Sequence, residues 1–171
     1  SNRVKVNVIG QSAGGRNLFL ATVGSGNLGG YQDIKKQMLT DPEKALKTLG
    51  NLSNVKVPVV VLAGINGDEY PSVDAAIQLI EALAYQNDQD TQMILNNILL
   101  LAVVVGNPEG RVNGTTDNGN STDLSTDFAE QSAQETKTVV SLITGWNPLM
   151  FLDLRGFHDP MLIEPSTPWH N

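Results

Sequence analysis

Residues 57–84 read VPVVVLAGINGDEYPSVDAAIQLIEALA, and how this stretch divides decides the fold. Residues 57–63 are almost wholly apolar, as a strand covered on both faces of a sheet must be. From Val73 onward, Val73, Ala76, Ile77, Ile80, Leu83 and Ala84 recur at helical spacing, which predicts a helix over about 71–85 with one apolar stripe. Between them, residues 64–72, GINGDEYPS, put Glu69 where a buried strand hands over to a helix. Open α/β sheets keep their ligand-binding groups at such places. Glu69 also lies three residues after Asn66, the spacing of a His-x-x-Glu metal pair with asparagine in the histidine's place.

The same alternation extends outward. RVKVNVIG at 3–10 and NLFLATVG at 17–24 flank the turn-rich QSAGGR and predict a β-hairpin. Helical stretches are expected near 31–39 and 42–49, the second with Asp41 as N-cap and Pro42 at its first position. A buried strand at 97–105 precedes a long polar loop at 106–127, then a helix over about 131–145 and a strand at 149–154. The expected fold class is α/β: a mixed, mostly parallel central sheet flanked by helices, in one domain spanning 1–171. GINGDEYPS, the 106–127 loop and RGFHDP at 155–160 each follow a strand, so they should gather over one edge of the sheet. A loop as long as 106–127 inside a compact domain is usually functional or flexible.

Composition narrows the function. The formal net charge of −7 argues against nucleic acid and against anionic membranes. The absence of cysteine excludes disulfides and thiolate metal sites. The apolar run ILLLAVVV at 98–105 is too short to span a bilayer. No signal-peptide pattern stands at the start, and Ser1-Asn2 reads as a tag remnant. An acidic, cysteine-free chain suits a secreted bacterial protein as well as a cytosolic one.

Four ordered blocks, AGINGDEYPSVDAA, NPEGRVNGT, TDLSTDF and FLDLRGFHDPMLIEPSTPWHN, resemble those of the zinc metallocarboxypeptidases of the carboxypeptidase A type. The similarity is strongest to the secreted bacterial branch, which implies a secreted or cell-surface location. It also implies a carboxypeptidase-like fold, here incomplete at both ends, and release of C-terminal residues from peptides at a zinc ion. Carried over by position, the resemblance puts the zinc ligands on Asn66, Glu69 and Arg155, and the carbonyl-polarising arginine on Thr116. It puts the pair that grips the substrate carboxylate on Ser125 and Thr126, with Arg111 nearby as a partial substitute. The general-base glutamate belongs to a segment after residue 171. Of the six named positions only Glu69 keeps the family's residue.

Asparagine is a poor zinc ligand, and arginine offers no lone pair. The expected arrangement is therefore Arg155 paired with Glu69 in the metal's stead, no cofactor, and a pseudoenzyme whose cleft binds a peptide, a glycan or a partner protein. The rival expectation is an active hydrolase that binds zinc at a relocated or externally completed site. A third is a truncated domain that associates with another segment to complete its sheet. Blander explanations stand beside these. Asn66-Gly67 is a good turn dipeptide, and Glu69 suits a helix N-terminus. His158 and His170 are more simply solvated loop residues than metal ligands. GSGNLG at 24–29 matches a dinucleotide fingerprint only literally, because its strand belongs to a hairpin. The Asn-x-Ser/Thr triplets at Asn51, Asn113 and Asn120 are polar loop sequence.

Overall fold

A computed structural model describes residues 1–26, 28–51 and 55–156, together with their side chains except those of 29 and 49–51. The hairpin consists of β1 (Val4–Gln11) and β2 (Asn17–Val23), followed by α1 (Gly29–Thr40) and α2 (Pro42–Asn51). Next come β3 (Val57–Ala63), α3 (Tyr70–Tyr85), α4 (Gln89–Asn97) and β4 (Ile98–Val103). The described chain closes with α5 (Pro108–Asn113), α6 (Gln134–Trp146) and β5 (Met150–Leu154).

The strands form one sheet in the order β1-β2-β4-β3-β5. β1 pairs antiparallel with β2, and β2 with β4, whereas β3 runs parallel to both β4 and β5. The sheet is mixed, as expected. Parallel pairing is confined to its β4-β3-β5 half, however, because the hairpin joins β4 through β2, which runs antiparallel to it. Strand alternation explains the layers. Val60, Leu62, Leu101 and Val103 face one side, where Val139 and Leu142 of α6 cover them. Val59, Val61, Leu100 and Ala102 face the other, against Leu83 of α3 and Ile94 of α4.

The structure departs from the sequence-based reading at several places. The 106–127 segment is no featureless loop: Asn107 accepts the Gly110 N–H at 2.9 Å and caps the short helix α5, which ends on Gly114 in the left-handed conformation. α4 was not anticipated, yet Asp88 caps it by accepting both the N–H and the hydroxyl of Thr91. Ile77 lies off the buried face of α3 and is 43% exposed, and β5 is exposed along most of its length. The Asp41 cap stands, its carboxylate accepting the Lys44 N–H at 3.0 Å. His158, His170 and the MLIEPSTP block lie outside the described residues.

The start of α6 is fixed by Asp127. Its buried carboxylate accepts the backbone N–H of Ala133 and of Ser132, both at 2.9 Å, and the hydroxyls of Ser132 and Thr136. Burial alone would raise its pKa; the hydrogen bonds from Ser132, Thr136 and the Ala133 backbone outweigh that and hold it well below the usual carboxylate range. A depressed folded-state pKa gives stability that is complete above the unfolded value of about 4 and fades as pH falls below it. Chemical denaturation should therefore show a gap between the wild type and Asp127→Asn at neutral pH that narrows steadily below about pH 4. Leu101 is fully buried in the central strand β4, so Leu101→Ala should cost about 2–5 kcal/mol in the same measurement.

Candidate functional site

Parallel pairing of β3 with β4 and β5 brings the C-terminal ends of all three strands to one edge. Backbone hydrogen bonds continue past the ladder: Gly106 N–H donates to the Ala63 carbonyl at 2.9 Å and Asn107 N–H to that of Gly64 at 2.8 Å. The β3–α3 and β4–α5 segments then interlock. Gly67 lies directly against the backbone of Gly110 and Arg111, so a Cβ at position 67 would be driven into main-chain atoms. Thr116 ties the segments again, its hydroxyl donating to Asp68 Oδ2 at 3.1 Å, while Asn107 Nδ2 holds the Thr116 carbonyl at 2.9 Å.

Within this edge Asn66 and Glu69 are both buried, and Asn66 Nδ2 donates to Glu69 Oε1 at 2.9 Å. The turn that joins them is closed by Glu69 N–H on the Asn66 carbonyl at 3.2 Å. Arg155 does not make the expected pair with Glu69. Its Nε and Nη2 reach Asp153 Oδ2 at 2.8 and 2.7 Å. The reason is local: residues two apart in extended chain lie on the same side, so Asp153 is the nearer anion.

Arg111 is positioned by the first turns of α3. Its guanidinium stacks on the Tyr70 ring, 4.0 Å from the centroid, and its Nη2 lies 3.9 Å from Asp74 Oδ1. Ser125 and Thr126 are engaged in their own turn. The Ser125 N–H and hydroxyl both donate to Asp123 Oδ1, at 2.9 and 2.6 Å, and the Thr126 hydroxyl donates to the Asp123 carbonyl at 3.1 Å. No hydrogen bond joins Ser125 or Thr126 to Asn66, Glu69, Thr116, Arg111 or Arg155 among the described residues. Sequence reasoning overlooked Asp68, Tyr70 and Asp74. The spacing of Tyr70 and Asp74, one helical turn apart at the mouth of the strand, was the available signal.

A catalytic zinc requires three lone-pair donors and an open position for water. The three positions suggested by the resemblance supply one carboxylate, an amide whose NH₂ is turned onto that carboxylate, and a guanidinium with no lone pair. Asn66 Oδ1, the one atom of that amide able to donate a lone pair, is buried without a hydrogen-bond partner among the described residues. This donor set does not fit the metal. Among the described residues no group of three histidine, aspartate or glutamate side chains is placed to hold one elsewhere.

Comparison with solved structures places the architecture. A metallo-carboxypeptidase from Burkholderia cenocepacia superposes with a TM-score of 0.71 at 18% identity, over 93% of this chain and 38% of that one. One from Pseudomonas aeruginosa gives 0.62 at 22%, over 91% and 35%. A murein-tripeptide amidase from Escherichia coli O157 gives 0.54 at 18%, over 91% and 62%. The chain thus spans under two-fifths of the length of these carboxypeptidases. No curated protein matches the sequence. At these identities the likeness shows the fold. The family model for zinc carboxypeptidases, however, matches residues 1–122, well over half of the chain, and the chain belongs to that family.

Proposed function

We propose that this domain is a non-catalytic member of the family, one that retains the carboxypeptidase cleft for binding a peptide without hydrolysing it. The observation that carries this reading is the arrangement at Asn66, Glu69 and Arg155. The asparagine NH₂ is turned onto the glutamate, and the arginine pairs with Asp153. With a donor set that does not fit zinc, no hydrolytic step can be built through the metal. The remaining positions support the same conclusion. Stabilising an oxyanion requires a hydrogen-bond donor aimed at the reacting oxygen. The Thr116 hydroxyl is already given to Asp68, and those of Ser125 and Thr126 to Asp123. Arg111, held on Tyr70, is a cation placed to steer a ligand into the cleft. A secreted or cell-surface bacterial setting fits the acidic, cysteine-free composition.

A second reading, an active carboxypeptidase whose metal site is completed by other residues, draws on the retention of Glu69 in a buried position. Incubation with a panel of peptides, with and without added zinc, separates the two. The expected outcome is no loss of C-terminal residues under either condition. Trimming that a chelator abolishes would establish the second reading. A converse experiment rebuilds the donors: the double variant Asn66→His, Arg155→His should retain about one zinc per chain after dialysis where the wild type retains none. It should still fail to cleave, because Thr116, Ser125 and Thr126 are unchanged.

A further inference from the structure

The described sheet has two free edges, β1 and β5. An edge strand presents unpaired backbone N–H and C=O groups, a template for another strand. At β1 the template has a wall. Gln134, Lys137, Thr138 and Ser141 recur at three- and four-residue steps along α6, and this face of the helix lies beside β1. Helix and strand touch at Gly10, where an added Cβ would sit 2.6 Å from Thr138 Oγ1. Beside that contact lies a cavity of about 390 Å³, lined by Ile9, Gly10, the four helix residues and Leu142. A β-bulge between Val8 and Gly10 leaves Ile9 without a partner on β2.

We propose that this groove is a strand-addition site that takes an extended peptide segment bearing an acidic side chain. A strand edge flanked by a helix offers the two components of such recognition: main-chain hydrogen bonds for affinity and a pocket for alternate side chains. The chemistry of the lining selects the side chain. Lys137 is the one charged residue in it and is exposed, and among the described residues its Nζ donates only to the Ser132 carbonyl, at 3.3 Å. In a chain of net charge −7 this lysine is a local exception, and a carboxylate is its complement. Ile9, which packs toward the core, gives the groove an apolar floor for a neighbouring β-branched or aromatic residue. The hollow to which β5 contributes differs: it lies over the face of β3 and β4 against α3 and α4 and is lined by apolar side chains alone. The site shares no residue with the cleft at Asn66 and Glu69.

The test is selection from a display library of random peptides of about eight residues, the length of β1, against the full chain. Enriched sequences are expected to carry an aspartate or glutamate beside β-branched or aromatic residues. Synthetic copies should bind Lys137→Glu at least about tenfold more weakly and lose binding to Ser141→Trp, which fills the groove. Both positions are exposed, and circular dichroism would confirm that each variant is folded. Amide NMR shifts on binding should cluster within residues 4–11 and 134–142. Failure to enrich any sequence, enrichment of basic or neutral peptides, or binding indifferent to both substitutions would overturn the proposal. Shifts centred on Asn66–Tyr70 would likewise overturn it, while supporting the separate reading of the cleft.

Discussion

Two backbone hydrogen bonds, Gly106 to Ala63 and Asn107 to Gly64, carry the parallel pairing of β3 and β4 beyond the end of the ladder. The candidate cleft depends on this extension. Parallel neighbours bring their C-terminal ends to the same edge, and the extra bonds hold the two following segments in contact rather than letting them splay. Gly67 can then lie on the Gly110–Arg111 backbone with no side chain between. That close approach in turn allows Thr116 to reach Asp68, and Arg111 to stack on Tyr70. Polar groups from residues almost fifty positions apart in sequence meet because the backbone brings them together.

Within that frame several polar donors are already given to neighbouring residues. A catalytic site holds its donors and lone pairs ready for metal and substrate, at some cost in stability. Here the Asn66 amide, the Thr116 hydroxyl, the Ser125 and Thr126 hydroxyls and the Arg155 guanidinium each have a partner within the protein. At buried Asn66 and at half-buried Thr116 and Ser125 such a bond offsets desolvation, whereas Thr126 and Arg155 are exposed. The scaffold is that of a zinc carboxypeptidase, and at its edge the hydroxyls and the guanidinium singled out by the resemblance donate to neighbouring residues, while Asn66 Oδ1 and Arg111 Nη1 are buried without a hydrogen-bond partner among the described residues. These two facts together motivate a binding role.

How much of this was legible in the sequence follows from the range of the interactions. β3 and α3 were legible because full burial on two faces and a helical stripe leave one-dimensional signatures; β3 runs over the very residues expected, Val57–Ala63. The Asp41 cap and the hairpin were local and equally visible. α5 was hidden among turn residues, because its six residues are too few for periodicity to emerge. The exposure of Ile77 and of β5 was hidden for a different reason. An apolar residue marks a surface able to be buried, and what covers it is decided by distant parts of the chain. Of the motif positions, Asn66 meets Glu69, and Thr116 joins the same edge through Asp68. The partner of Arg155 was misjudged, since the resemblance suggested a tertiary pair where Asp153, two residues away, was available.

The central claim is that the edge at Glu69 does not constitute a zinc site. Calorimetric titration of chelator-treated protein with zinc, alongside a Glu69→Gln variant, tests it most directly. The account predicts no stoichiometric binding to the wild type and indistinguishable traces for the two proteins. One zinc bound per chain, lost in Glu69→Gln, would contradict it.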